Sequence, residues 1–288
     1  MIDLHIHTNY SDGTDTLISV LKKAEEKKLE YISITDHNTC KAYNELANIN
    51  VKDYYSGNII TGVELNTKIL GVPIEVLGYG IDIKKIEPVL TKTYLSPFER
   101  NKLEVKRLYD KCLESGIKLS TDFVTNYNPA IYASKYLHSE LIKNEYNKQF
   151  IDNESWDNSI NLYRKYMSDP NSLLYVDTND ILPDFETVRK IIKDAGGMIF
   201  IPHIFEYKDN SLKILNYILD NYEIDGLECY YTTFSKEQTN YLLDICKLKN
   251  LYVSGGSDYH GNYKPDVDIG IGKGNLKIPY NILTNYKL

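Results

Sequence analysis

The chain has 288 residues, of which 42% are apolar and 25% charged, and its formal net charge is −7. That is the composition of an ordinary soluble globular protein, long enough for one large α/β domain or for a core domain with a smaller inserted one. The acidic balance argues against a protein that coats nucleic acid through bulk electrostatics, while leaving a local basic cleft open. The four cysteines, Cys40, Cys112, Cys229 and Cys246, are scattered and form no CxxC pair. They read as small buried hydrophobes of a reducing compartment. No leader is expected ahead of a motif that begins at residue 3, and no apolar run approaches membrane-spanning length, so the expected setting is the cytoplasm.

Ile2, Leu4 and Ile6 alternate with Asp3, His5 and His7 at the start of the chain. Alternation predicts a strand that points both imidazoles the same way, with Asp3 beside them and Asp12 just beyond. Two imidazoles and a carboxylate suit a divalent ion. Thr14, Asp15 and Thr16 offer N-caps for a helix bearing Leu17, Val20, Leu21 and Ala24. Residues 31–35 form a second strand running into Asp36 and His37, and residues 58–63 a third ending at Glu64, Leu65 and Asn66. Residues 73–79 form a fourth. Strands alternating with helices point to a parallel sheet, barrel-like or doubly wound, with functional side chains at the carboxyl ends of its strands.

The rhythm changes after about residue 94. Residues 98–115 predict a helix with Val105, Leu108, Tyr109 and Cys112 on its buried stripe and Gly116 as its stop. Beyond it the chain is rich in Asn, Tyr, Ser and Lys with short helical patterns. It reads as a mostly helical inserted domain over the open end of a barrel. The expected organisation is residues 1–94 and 184–288 for the barrel and 95–183 for the insertion. Alternation then resumes. Asp184 caps a helix bearing Phe185, Val188, Ile191 and Ile192, and residues 198–202 form a strand ending at His203. A helix over residues 211–222 precedes a strand over 225–230, ending near Glu228. Ser235 with Gln238 fits a capping box, and residues 251–257 form the last strand, delivering Asp258 and His260. About seven strands result.

Five of the six histidines, His5, His7, His37, His203 and His260, therefore lie at or within two residues of a strand end. Taken singly, each is more readily a satisfied core or surface side chain. Five together, converging with Asp12, Glu64 and Asp258 at one barrel mouth, exceed the roughly four ligands one ion needs and suggest two or three ions. Asp3 and Asp36 adjoin these histidines and could orient an imidazole or satisfy nearby backbone. His138 reads as a surface residue. Gly255-Gly256 and the Gly270–Gly272 pair read as turn-forming positions beside the site.

Asp3-Leu-His-Ile-His-Thr with Ser11-Asp-Gly, Ile34-Thr-Asp-His-Asn, Gly62-Val-Glu-Leu-Asn, Pro202-His203 and Gly256-Ser-Asp-Tyr-His-Gly261 together resemble the PHP (polymerase and histidinol phosphatase) superfamily. The insertion after the fourth strand resembles that of its stand-alone phosphoesterases acting on nucleotide 5′- and 3′,5′-phosphates and on RNA 5′ ends. The resemblance implies a distorted (β/α)7 barrel with two or three Mn, Fe, Zn or Mg ions at the strand ends. It implies that His5, His7, Glu64 and Asp258 hold one ion, that Glu64 bridges to another bound by His203, and that Asp12, His37 and His260 hold a third. In the fourth-strand motif the family's usual histidine is replaced by Glu75, which can ligate a harder ion such as Mn or Mg or leave that site weak. Arg100, in a basic helical segment that otherwise reads as a solvated face, stands where the subgroup places a phosphate-clamping arginine.

The implied reaction is hydrolysis of a phosphate ester by metal-activated hydroxide, with Glu64, His203 and Asp258 as catalytic residues. The substrate would be a small phosphate ester or a nucleic-acid end, and no membrane partner is expected. Two alternatives stand beside it: a phosphatase for another small molecule, such as histidinol phosphate or a cyclic phosphodiester, and a non-catalytic metal-binding module. Oligomeric state, native metal and the residue that protonates the leaving group stay open.

Overall fold

The computed structural model describes residues 1–169, 171–177 and 179–286. It divides into one compact unit of Met1–Thr93 with Leu182–Leu288 and a second of Tyr94–Ile181. In the first unit seven strands form one sheet in the order β1 to β7: Ile2–Ile6, Tyr31–Ile34, Asn58–Ile69, Val72–Tyr79, Met198–Ile201, Gly226–Tyr231 and Tyr252–Gly256. The sheet is nearly closed. Asp258 N–H donates to His5 O at 2.9 Å and His7 N–H to Tyr259 O at 2.9 Å, so the segment after β7 returns to β1.

Around this sheet run α1 (Leu17–Glu26), α2 (Lys41–Leu46), α3 (Ile83–Thr93), α8 (Phe185–Asp194), α9 (Ser211–Asn221) and α10 (Lys236–Lys249). Their starts follow their sequences. Thr16, Asp184 and Ser235 each accept a hydrogen bond from the backbone three residues on, and Ser235 with Gln238 completes a reciprocal capping box. Helix α8 buries Phe185, Val188 and Ile192 of the stripe its spacing predicts, while Ile191 is half-buried at its edge. Ile2, Leu4, Leu77, Tyr79 and Phe200 form part of the barrel's core, each side chain gaining roughly 1.5–3 kcal/mol on burial.

One expectation needs correction. Strand pairing is parallel for β1–β2, β2–β3, β5–β6 and β6–β7, but β3–β4 and β4–β5 are antiparallel. The third strand does not stop near Glu64. It runs twelve residues to Ile69 and turns back through Leu70 and Gly71, both with positive φ (52° and 78°). A two-residue hairpin loop of that hand matches the twist of its strands, and it directs β4 against β3.

The second unit contains α4 (Pro97–Glu114), α5 (Ala133–Leu141), α6 (Asn153–Asp157) and α7 (Ser159–Leu162). It has its own core, in which Val105, Leu108 and Cys112 of α4 meet Phe123, Leu137 and Leu162. Arg107 on α4 clamps Asp180 bidentately at 2.7–2.8 Å, joining the unit's beginning to its end.

Candidate metal centre

Each site residue is delivered by an identifiable backbone device. β1 points His5 inward, and His7 follows it by two residues on the same face; both are fully buried. Asp12 lies on the loop after β1. That loop is folded around Asp36, whose carboxylate accepts from Thr8 N–H at 2.8 Å, Thr8 Oγ1–H at 2.7 Å and Ser11 Oγ–H at 2.7 Å. Asp36 thus anchors a loop; no imidazole is hydrogen-bonded to it among the described residues. Asp3 likewise satisfies backbone, accepting from Ser257 N–H, Ser257 Oγ–H and Gly270 N–H at 2.6–2.9 Å.

Glu64 occupies the middle of the assembly. Its Oε2 lies 3.3 Å from His5 Nε2, 3.2 Å from His7 Nε2 and 3.3 Å from His37 Nδ1. Its Oε1 lies 2.9 Å from His203 Nε2. Asp258 Oδ1 lies 3.3–3.5 Å from His5, His7 and His260. Asp12 faces His7, His37 and His260 at 3.3–3.5 Å. Glu75, paired in register with Asn66 on β3, reaches His203 at 3.4 Å and His37 at 3.8 Å. The structure therefore brings His5, His7, Asp12, His37, Glu64, Glu75, His203, Asp258 and His260 into one cluster. Arg100 is exposed on the first turn of α4 in the other unit, and His138 hydrogen-bonds Trp156 O at 2.9 Å there.

Four overlapping sets have ligand atoms within 4.8 Å of one another: His7 with Asp12, His37 and His260; His5 with His7 and Glu64; His5 with His203 and Asp258; and His37 with Glu64 and Glu75. The donors fit a divalent ion, because buried His5 Nε2, both ring nitrogens of His7, His37 Nδ1 and His203 Nδ1 have no hydrogen-bond partner. Unpartnered buried polar atoms are costly in a folded protein, and cations at these positions would satisfy those that face the carboxylates.

The electrostatics of the cluster point the same way. Burial opposes charge on His7, yet the facing carboxylates of Asp258 and Glu64 push it up to about 10. His203 rises to about 9 because Glu64 and Glu75 outweigh its burial. Burial would raise Glu64 and Asp258, but the surrounding imidazoles, and Lys264 in the case of Asp258, hold both well below the ordinary carboxylate range. Protons are drawn to where positive charge is wanted.

Two residues of this site escape sequence reasoning. Glu228, in the middle of β6, accepts from His5 Nδ1 at 2.9 Å and from His203 N–H at 2.8 Å. One buried carboxylate thus fixes the tautomer of His5, leaving Nε2 free to ligate, and pins the backbone of His203, whose φ of 24° is strained. A lone acid in an otherwise apolar strand is the only signal the sequence offers. Lys264 ion-pairs with Asp258 Oδ2 at 2.5 Å, and nothing in its exposed-looking surroundings marks it. Gly256 is also not a turn position: a Cβ there would stand 2.2 Å from that of His5, so β7 approaches β1 only because the residue is glycine.

The chain belongs to the PHP domain family, whose model matches residues 3–225. Among curated relatives, a 5′-3′ exoribonuclease of Haemophilus influenzae is 25% identical, over 90% of this chain and 89% of its own length. A 3′,5′-nucleoside bisphosphate phosphatase of Chromobacterium violaceum is 25% identical over 93% and 90%. A solved structure from Chromobacterium violaceum, described as an amidohydrolase with bound sulfate and no metal, superposes with a TM-score of 0.71 at 24% identity, covering 98% of this chain and 92% of that one. That likeness supports the distorted barrel fold. The family and the relatives agree with the phosphoesterase class that the sequence motifs imply. No helix among the described residues is long and apolar enough to cross a membrane.

Proposed function

We propose that this chain is a metal-dependent phosphoesterase that hydrolyses a phosphate ester at a nucleotide or oligonucleotide end, of the 5′-phosphate or 3′,5′-bisphosphate type. The observation that carries this reading is the convergence of five imidazoles on four carboxylates, with buried ring nitrogens left unpartnered. The nucleotide substrate class rests on the names of the relatives.

His5, His7, Glu64 and Asp258 would hold one ion, Glu64, Glu75 and His203 a second, and Asp12, His37 and His260 a third. Glu75 would bias its site toward a harder ion such as Mn or Mg over Zn. When bound, such ions supply Lewis-acid charge and lower the pKa of a bound water from 15.7 toward roughly 7. Glu64, whose two oxygens face four imidazoles, would contribute to both of the first two positions. Glu228 keeps His5 in the tautomer that offers Nε2. Asp258 or His203 would relay the proton that the leaving alkoxide takes up. A net charge of −7 suits gripping an end rather than coating a strand, and four free, buried cysteines suit a reducing cytoplasm.

The test is a phosphate-release screen with Mn, Fe, Zn and Mg added separately, on a panel including adenosine 3′,5′-bisphosphate and a 5′-phosphorylated oligonucleotide. Release from a nucleotide member supports the reading. Metal-loaded protein that releases nothing from any member overturns it.

A further inference from the structure

Lys264 follows the turn Gly261–Tyr263 immediately after His260, and its N–H closes that turn on Gly261 O at 3.1 Å. The turn brings the ammonium back over the cluster. It donates to Asp258 Oδ2 at 2.5 Å, and the carboxylates of Glu64 and Glu75 act on it as well. Asp258 divides its oxygens between two tasks. Oδ1 faces the imidazoles, while Oδ2 already accepts from Tyr231 O–H at 2.7 Å. The lysine is therefore surplus to satisfying Asp258. An ammonium has three donors, and among the described residues this one donates a single hydrogen bond. Its side chain is 36% exposed, in contrast to the fully buried His5 and His7.

We propose that Lys264 is a phosphate-binding residue, which places a free N–H of its ammonium on a non-bridging oxygen of the substrate phosphate while keeping its contact to Asp258. The inference rests on the phosphoesterase reading and deepens it by naming a contact in the barrel unit itself. A point charge with rotatable donors suits a phosphate whose oxygens must shift during in-line displacement, and it counters the charge that develops on them.

The experiment measures binding of inorganic phosphate to metal-loaded wild type, Lys264→Met, Lys264→Arg and Tyr231→Phe, with ions per chain counted in each. Lys264→Met should retain the wild-type ion count and weaken phosphate binding on the order of 10- to 100-fold, as expected for a lost hydrogen bond to a charged group. Lys264→Arg should recover most of it, and Tyr231→Phe should change it little. Unaltered phosphate affinity in Lys264→Met overturns the proposal. So does a weakening matched by Tyr231→Phe or accompanied by lost ions, either of which would mean that the lysine only holds Asp258. Wild-type protein that binds phosphate through Lys264 yet hydrolyses no ester would overturn the proposed function and support the contact.

Discussion

The parallel strand ends and the β3–β4 hairpin build the same site by opposite means. His37, His203, Asp258 and His260 lie past the ends of parallel strands, where the chain turns. Two of them adopt positive φ, 24° at His203 and 56° at Asp258, and such conformations cost of order 1–3 kcal/mol each. They are held by donated hydrogen bonds, from His203 N–H to Glu228 and from Asp258 N–H to His5 O. Glu64 and Glu75 instead sit inside regular antiparallel pairing, opposite Leu77 and Asn66. The difference separates roles. Loop-borne site residues need backbone anchors, whereas the hairpin-borne carboxylates are placed by strand register, with Asn66 Nδ2–H donating to Glu75 Oε1 at 3.2 Å.

Breaking the hairpin's central carboxylate should have the largest effect. Glu64→Gln removes charge facing four imidazoles, and activity should fall on the order of 10³-fold, since a catalytic ion supplies several kcal/mol at about 1.4 kcal/mol per tenfold. Phosphate-release kinetics on the active substrate, with ion content measured alongside, checks this. The parallel ends should be most sensitive to their support. Glu228→Gln should weaken metal affinity roughly 10- to 100-fold while circular dichroism stays that of the wild type. An unchanged affinity would mean that the strained His203 backbone needs no anchor.

Acidity sharpens the comparison next. His7 and His203 are raised to about 10 and about 9 in the metal-free protein, so the stability they add is complete below about pH 6.5 and lost as pH rises through 9–10. Glu64 and Asp258 are depressed, so their contribution holds at neutral pH and is lost on acidification below the ordinary carboxylate range. Metal binding near pH 7 must displace the imidazole protons, and calorimetry in buffers of different ionisation enthalpy should register net proton release. Proton-neutral uptake would contradict the cluster as the binding site.

How far the sequence discloses this site follows the same division. Alternation around His5 and His7, and histidines at the ends of apolar runs, expose the parallel part, because strand period and strand-end position are local properties. The hairpin is hidden because its turn is Leu70-Gly71. Asn-Gly or Asp-Gly would announce two positive-φ positions, and leucine conceals the first. Glu228 and Lys264 are hidden for another reason: their partners lie on other strands or are defined only once a turn has closed. The family motifs compensate for the first kind of loss and not for the second.

The smallest predicted effect addresses that turn. Leu70→Asn should raise stability by roughly 0.5–1 kcal/mol in denaturant titration by relieving a left-handed leucine, with metal content untouched. Destabilisation would mean that Leu70, 42% exposed, contributes packing that outweighs its strain.

The central claim is that nine residues from distant parts of the chain form a single multi-ion centre. Anomalous diffraction at the edges of Mn, Fe and Zn, on crystals of protein purified without chelator, tests it most directly. Two or three peaks within the shell of His5, His7, Asp12, His37, Glu64, Glu75, His203, Asp258 and His260 are predicted. Peaks confined to other surfaces, with these side chains paired only to one another, would contradict it.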